Sequence, residues 1–267
     1  MDTQKFPKAF TSINKLGAPK RYYSIKNLKR VSSLVAGIIF IGGSILAFLF
    51  GVYQAYLAYQ KHGPALLGDE LTWPVIISVI LFLLGLVACW SASVNWTKGV
   101  ALFDGGIAVR DRKGIQSWRW EDIASLTAAI SRHYSSGIYT GTSHVYTLYS
   151  QGNKRIVLSD IYVKVEELAG AIEECIYPLL YGRAIDQYNA GKILVFGPVA
   201  ASKDGIQIGK KTYSWREVKE VSIYQGTMKI SRKDGGWFSG ASAAAASIPN
   251  LRILLTIINQ IVGLKAG

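Results

Sequence analysis

The chain has 267 residues, 50% of them hydrophobic and 18% charged, with 30 Lys and Arg against 17 Asp and Glu, a net charge of +13. So large an apolar share supports a folded core and excludes a disordered chain. The two cysteines, Cys89 and Cys175, exclude a disulfide scaffold and an all-cysteine metal site.

Charge and hydropathy are distributed unevenly along the chain. Met1–Arg30 is a basic segment with eight Lys and Arg against Asp2, a net of +7. Two charge-free runs follow, Val31–Gln60 and Leu71–Thr97, with apolar cores at Leu34–Tyr56 and Val75–Val94. Each core reaches the roughly 20 residues that cross a bilayer as a helix, so region 31–97 is expected to form a two-helix transmembrane hairpin. A secretory h-region of about 7–15 residues is too short to account for the first run, and the basic segment precedes it. The intervening Lys61–Glu70 carries one Lys against Asp69 and Glu70. Lys and Arg thus flank the first run and are scarce between the runs, which predicts both termini in the cytoplasm of a multi-pass inner-membrane protein. Within the first run Gly43, Ala47 and Gly51 recur every fourth residue, and Gly85, Cys89 and Ser93 do so in the second. Such stripes allow close helix approach, either within the hairpin or in a homo-oligomer. Neither core contains an ionisable Asp, Glu, Lys, Arg or His, which argues against a proton relay or ion path.

From Lys98 onward the chain contains a faint repeat. Gly106-Ile107 and Trp120-Glu121-Asp122-Ile123 are echoed by Gly205-Ile206 and Trp215-Arg216-Glu217-Val218. Each copy reads as a Gly-Ile strand, a basic turn, a strand, a Trp-x-acid-apolar step and further strands (Val145–Tyr149 and Arg155–Leu158; Thr227–Ser231 and Trp237-Phe238). A closing helix is expected in each, from about Val163 to Tyr181 with Pro178 kinking or ending it, and from Pro249 onward. The expected fold class is a membrane α-helical hairpin plus α+β, with domains at 98–190 and 191–267. Strands closed by one helix, together with Phe196-Gly197, Trp215, Ile248-Pro249-Asn250 and the basic two-span start, resemble an uncharacterised bacterial family of two-pass membrane proteins with cytoplasmic pleckstrin-homology-like (PH-like) domains. The resemblance runs from about Leu16-Gly17 to the end. It implies two tandem PH-like domains, each a bent antiparallel sheet capped by a helix, and carries over no catalytic residue.

Reactive constellations are sparse. His62, His133 and His144 form no metal-ligand spacing, and Cys175 falls on the apolar face of the expected helix. Ser239–Ser247 lacks the lysine of a phosphate-binding loop and reads as a mobile loop or a tightly packed edge strand. Asp234-Gly235-Gly236 reads as a hairpin turn, and Ser135–Ser143 as a flexible loop with Tyr139 near its tip. No cofactor, metal or catalytic residue is expected. The basic turns Arg110, Arg112 and Lys113, and Lys210 and Lys211, are candidate contacts for an anionic surface. Basic charge beyond Lys98 is scattered among 14 acids, so nucleic acid is not the expected partner. The expectation is a noncatalytic, membrane-tethered module that binds a protein partner or the membrane surface. The alternatives are a subunit of a larger membrane complex assembled through the small-residue stripes, and an enzyme with a cleft gathering Asp122, His133, His144 or Cys175.

Overall fold

The computed structural model describes residues 6–11, 13–63, 67–233 and 240–262. Its residues form two compact units, one of Ser24–Gly99 with Arg110–Ile115, the other of Met1–Tyr23, Val100–Val109 and Gln116–Gly267.

The first unit is built on two long helices, α2 (Asn27–His62) and α3 (Leu67–Thr97), both long and apolar enough to cross a membrane; a short helix, α1 (Lys8–Thr11), precedes them. At 1.5 Å per residue they measure about 54 and 46 Å, well beyond the expected cores at both ends. Gly63 stops α2 with φ 71°, its N–H donating to the Tyr59 carbonyl, as a left-handed C-terminal glycine does. Large apolar side chains such as Ile39, Leu46, Phe50 and Val87 face outward, while the buried positions are small. Gly37, Ser44, Gly51 and Ala55 on α2 and Gly85 and Ala92 on α3 are buried, the first three and the last two spaced seven residues apart. A seven-residue spacing keeps a seam facing a partner helix, and the four-residue steps Gly51 to Ala55 and Gly85 to Cys89 also fall on it. A Cβ on Gly85 would meet the Ile41 nitrogen at 3.1 Å and the Gly37 oxygen at 3.2 Å, and one on Gly51 would strike the Pro74 ring. Pro74 lies inside α3, so Gly51 makes room for its ring.

The second unit contains the antiparallel sheets, and the sequence repeat corresponds to a structural one. In the first copy, β1 (Pro19–Ser24), β2 (Gly99–Phe103), β3 (Gly106–Asp111) and β4 (Gly114–Arg119) make a four-stranded sheet in that order. A three-stranded sheet follows, of β5 (Ile123–Ser135), β6 (Ile138–Ser150) and β7 (Arg155–Ser159), then α4 (Val165–Asn189). The second copy repeats the plan with β8 (Leu194–Phe196), β9 (Val199–Ala201), β10 (Gly205–Ile208) and β11 (Lys211–Ser214), then β12 (Val218–Tyr224), β13 (Thr227–Arg232) and β14 (Ala241–Ala244), then α5 (Leu251–Val262). The same joint links the two sheets in each copy. Indole Nε1 of Trp120 donates to the Asp104 carbonyl at 2.9 Å, and that of Trp215 to the Ser202 carbonyl at 2.8 Å. The acid two residues on accepts a backbone N–H in both, Asp122 from Arg119 and Glu217 from Ser214. Gly106 and Gly205 are equivalent too, since a Cβ on either would collide with the carbonyl of the facing strand.

Several elements depart from the sequence reading. The residues assigned to a separate basic segment supply β1, so the helical hairpin interrupts a sheet between its first and second strands. Phe10 and Leu16 are buried with Ala101, Phe103 and Ala108, and Lys20 pairs with Asp104 at 2.9 Å. Helix α4 continues past Pro178 to Asn189. Burial of Ile176 and Leu180 on either side of the proline, and a 2.9 Å bond from Arg183 to the Glu121 carbonyl, hold the later turns in place. The Ser135–Ser143 loop is almost entirely strand, reduced to a turn at Ser136 and Gly137 with φ 50° and 80°. Of Ser239–Ser247, Ala241–Ala244 is the edge strand β14. Trp237-Phe238 and Asp234-Gly235-Gly236 lie outside the described residues.

Candidate functional site

The β3–β4 turn sits within the helical unit. Asp111 accepts the Lys113 N–H at 2.7 Å, an Asx turn that Gly114 completes at φ 118°. This turn carries Arg112 over the indole of Trp90 on α3, 4.2 Å from the ring centroid. Trp90 lies two turns before the end of α3 and is exposed, as are Arg112, Lys113 and Ile115; Arg110 is half-buried. A guanidinium stacked on an exposed indole keeps its donors free for oxyanions while the ring covers its apolar face.

The corresponding turn of the second copy presents exposed Lys210 and Lys211 after Gly209, and Lys211 donates to the Gly240 carbonyl at 3.3 Å. That turn belongs to the sheet unit, whereas Arg110–Ile115 belongs to the helical unit. Of the stripe residues, Gly51, Gly85 and Cys89 lie in the α2–α3 seam, with Cys89 against Gly37. Gly43 is looser, its Cβ position 3.8 Å from Leu81; Ala47 is half-buried and Ser93 is exposed, donating to the Trp90 carbonyl at 2.8 Å.

The sheet unit has a groove of about 440 Å³ between α4, the β5–β6 face and the start of α5. Its walls are mostly apolar (Leu126, Ile176, Leu180, Ile248), with Tyr146, Glu166 and Glu173 among the polar groups. The two copies meet here through Asn250. Its backbone N–H donates to the Leu126 carbonyl at 2.8 Å, its Oδ1 accepts the Leu126 N–H at 2.9 Å, and its Nδ2 donates to the Ala124 carbonyl at 3.2 Å. One residue of the second copy thereby satisfies the open edge of β5 in the first. Further along, Arg252 lies over the Tyr177 ring at 4.6 Å and pairs with Glu173 at 3.7 Å.

Outside the groove, His144 is held between two carboxylates, of which Glu166 also lines the groove. Its Nδ1 is 3.2 Å from Asp160, which also accepts its backbone N–H, and its Nε2 is 2.7 Å from Glu166. The neutral ring donates only one of these contacts, and the protonated ring donates both. Tyr146, one strand repeat away, has its pKa raised above 10.0 by burial and then by Glu166, Asp160 and Glu173. This cluster was not evident from sequence, because Asp160 and Glu166 come from a turn and a helix that only the fold brings to β6. Among the described residues, none of Asp122, His133, His144 and Cys175 lines the groove, nor does any Ser or Thr. Asp122 caps the Trp120 turn, His133 lies on the exposed end of β5, and Cys175 is half-buried on α4, where burial pushes its thiol up. Among the described residues no group of three His, Cys, Asp or Glu side chains has the arrangement to hold a metal ion.

A family model described as a family of unknown function, DUF6585, matches residues 7–265. The chain belongs to that family. No curated protein matches it.

Proposed function

We propose that this DUF6585 member is a noncatalytic module anchored in the inner membrane, with two tandem PH-like domains that bind a protein partner or the membrane surface on the cytoplasmic side. Three features support this reading. The outward surface of α2 and α3 is apolar along helices of membrane-spanning length, which leaves lipid as its natural solvent. Each copy of the repeat has a four-stranded sheet, a three-stranded sheet and a closing helix, the plan of a PH-like domain. The observation that carries the reading is the stack of Arg112 on Trp90. Tryptophan and a basic side chain together are what a helix end meets at the headgroup level of a bilayer, and the Lys and Arg bias puts that end on the cytoplasmic side. Assembly with other membrane subunits is less favoured, because Gly51, Gly85 and Cys89 are already used within the hairpin.

The test uses the full chain in native membranes. An alkaline carbonate wash is expected to leave it in the membrane, and protease is expected to digest the sheet unit in inside-out vesicles but not in right-side-out ones. Release by carbonate, or cleavage from the opposite side, overturns the anchoring. Cross-linking in the same membranes is expected to give a defined adduct with a protein or with a photoactivatable anionic lipid. The absence of both adducts overturns the binding role.

A further inference from the structure

The β5–β6 pair is longer than the sheet it belongs to. Strand β7 pairs with β6 only from Val145 to Tyr149, and Asn250 closes the edge of β5 only at Ala124 and Leu126. Beyond Ile130 and His144 the two strands run on alone as a ribbon to the turn at Ser136-Gly137. A ribbon of two strands has little core of its own, yet this one displays its largest apolar side chains. Ile130, Tyr134, Ile138 and Tyr139 are exposed, Ile138 to 71%, and the two tyrosines meet edge to face at 5.9 Å. Every residue from 130 to 140 is exposed.

Charge narrows the choice of what covers this tip. There is no Asp or Glu from Ile123 to Ser159, while Arg132 and His133 stand among the exposed residues. Arg132 has no ion-pair partner among the described residues. Exposed tyrosines and isoleucines with a cation and without a carboxylate are the chemistry of a segment seated at the boundary between headgroups and acyl chains. The cross-strand hydrogen bonds of the ribbon already satisfy much of its backbone, which lowers the cost of leaving water. The chain passes from α3 into β2 through Lys98 alone, so the sheet unit of an anchored chain stays within reach of the bilayer and even a weak contact is populated.

We propose that the tip of the β5–β6 ribbon inserts into the interface of an anionic lipid bilayer, with Ile138 and Tyr139 entering and Arg132 at the phosphates. This rests on the reading that α2 and α3 span the membrane. The test uses the full chain with Cys89→Ala and Cys175→Ala, reconstituted in vesicles of phosphatidylglycerol with phosphatidylcholine or of phosphatidylcholine alone. Single spin labels are placed at Ile138→Cys, Tyr139→Cys, Phe48→Cys in α2, and Lys154→Cys before β7 as an aqueous reference. Relaxation by oxygen is compared with relaxation by a water-soluble nickel chelate. Phe48, Ile138 and Tyr139 are expected to favour oxygen in anionic vesicles and Lys154 the chelate, and Arg132→Glu is expected to return Ile138 to the aqueous signature. A lipid signature at Phe48 with aqueous Ile138 and Tyr139 overturns the insertion and leaves the anchoring standing. An aqueous Phe48 overturns both. Dipolar broadening between Ile138 labels with low access to oxygen identifies a ribbon–ribbon contact between copies and overturns the lipid assignment. An equal lipid signature in neutral vesicles overturns the role of Arg132.

Discussion

Replacing Asn250 by glycine deletes the two side-chain hydrogen bonds that join the copies, to Leu126 at 2.9 Å and Ala124 at 3.2 Å. The backbone remains free to keep its φ of 53°. Each bond contributes about 1 kcal/mol net, and the site is only half-buried, so water can reach the orphaned groups and the loss stays near 2 kcal/mol. Alanine removes the same bonds and adds left-handed backbone strain of about 1 kcal/mol, giving the order Asn, then Gly, then Ala. For a unit of this size 1 kcal/mol shifts the midpoint by roughly 2–4 °C, so the glycine variant should melt about 4–8 °C below the parent. Tryptophan fluorescence of the full chain in detergent reports the transition, because Trp120 and Trp215 sit at the sheet joints. Amide exchange at Leu126 should speed up in the same variant. A glycine variant within about 0.5 kcal/mol of the parent, or an alanine variant no worse than glycine, would refute the idea that Asn250 joins the copies.

Removing residues up to Ser24 strips β1 from its sheet and uncovers Phe103 beside the lost Phe10 and Leu16. The fragment from Lys98 onward should therefore aggregate on gel filtration, and joining 6–24 to it by a short linker should rescue it. Gly85→Ala pushes a methyl against the backbone of α2 and should cost about 1–3 kcal/mol of hairpin stability, read by thermal melting in micelles. Gly42→Ala meets no atom within 4 Å and should be silent; equal effects would place the seam elsewhere. At alkaline pH, burial keeps Tyr23 and Tyr146 protonated above their usual 10.0, and Asp104 keeps Lys20 charged above its usual 10.5. The unfolded chain releases these protons first, so stability should be intact below pH 10.0 and fall as pH rises further. A flat alkaline limb in urea midpoints against pH would contradict this. Burial also raises the Cys175 thiol, so iodoacetamide at neutral pH should modify it more slowly in the folded chain than in urea, by peptide mass mapping.

The features legible in the sequence are those whose physical cause is local. Absence of charge over two long runs marked α2 and α3, since a bilayer-length apolar helix needs nothing from the rest of the chain to be recognised. The Trp-x-acid steps marked the two joints, because the acid caps a backbone N–H only three residues away. The helix after Pro249 was read from a proline suited to the first turn of a helix, and α5 begins at Leu251. Short strands were less visible. β8, β9 and β14 have three or four residues each, too few for an alternating pattern to stand out.

Other features depend on partners far away in the chain, and only the tertiary structure decided them. The affiliation of β1 is one, because strand pairing across the whole helical hairpin leaves no periodic trace in either segment. The seam of α2 and α3 is another. Small residues occur in both helices at several spacings, and which of them face inward depends on how the helices wind around each other. His144 acquired two carboxylates, and Arg112 an indole, through folding of segments that no spacing rule connects. The exposed ribbon tip was read as a loop because Gly137, Gly141 and the serines suggest turns, whereas pairing of β5 with β6 was strong enough to carry the strands through them. The runs of uncharged residues determined that part of this protein is apolar enough for lipid, and the recurring Gly-Ile and Trp-x-acid steps determined that the remainder is a twofold repeat. Which side chains stand at the surface together was determined by contacts between residues far apart in sequence, and that surface is where the proposed binding resides.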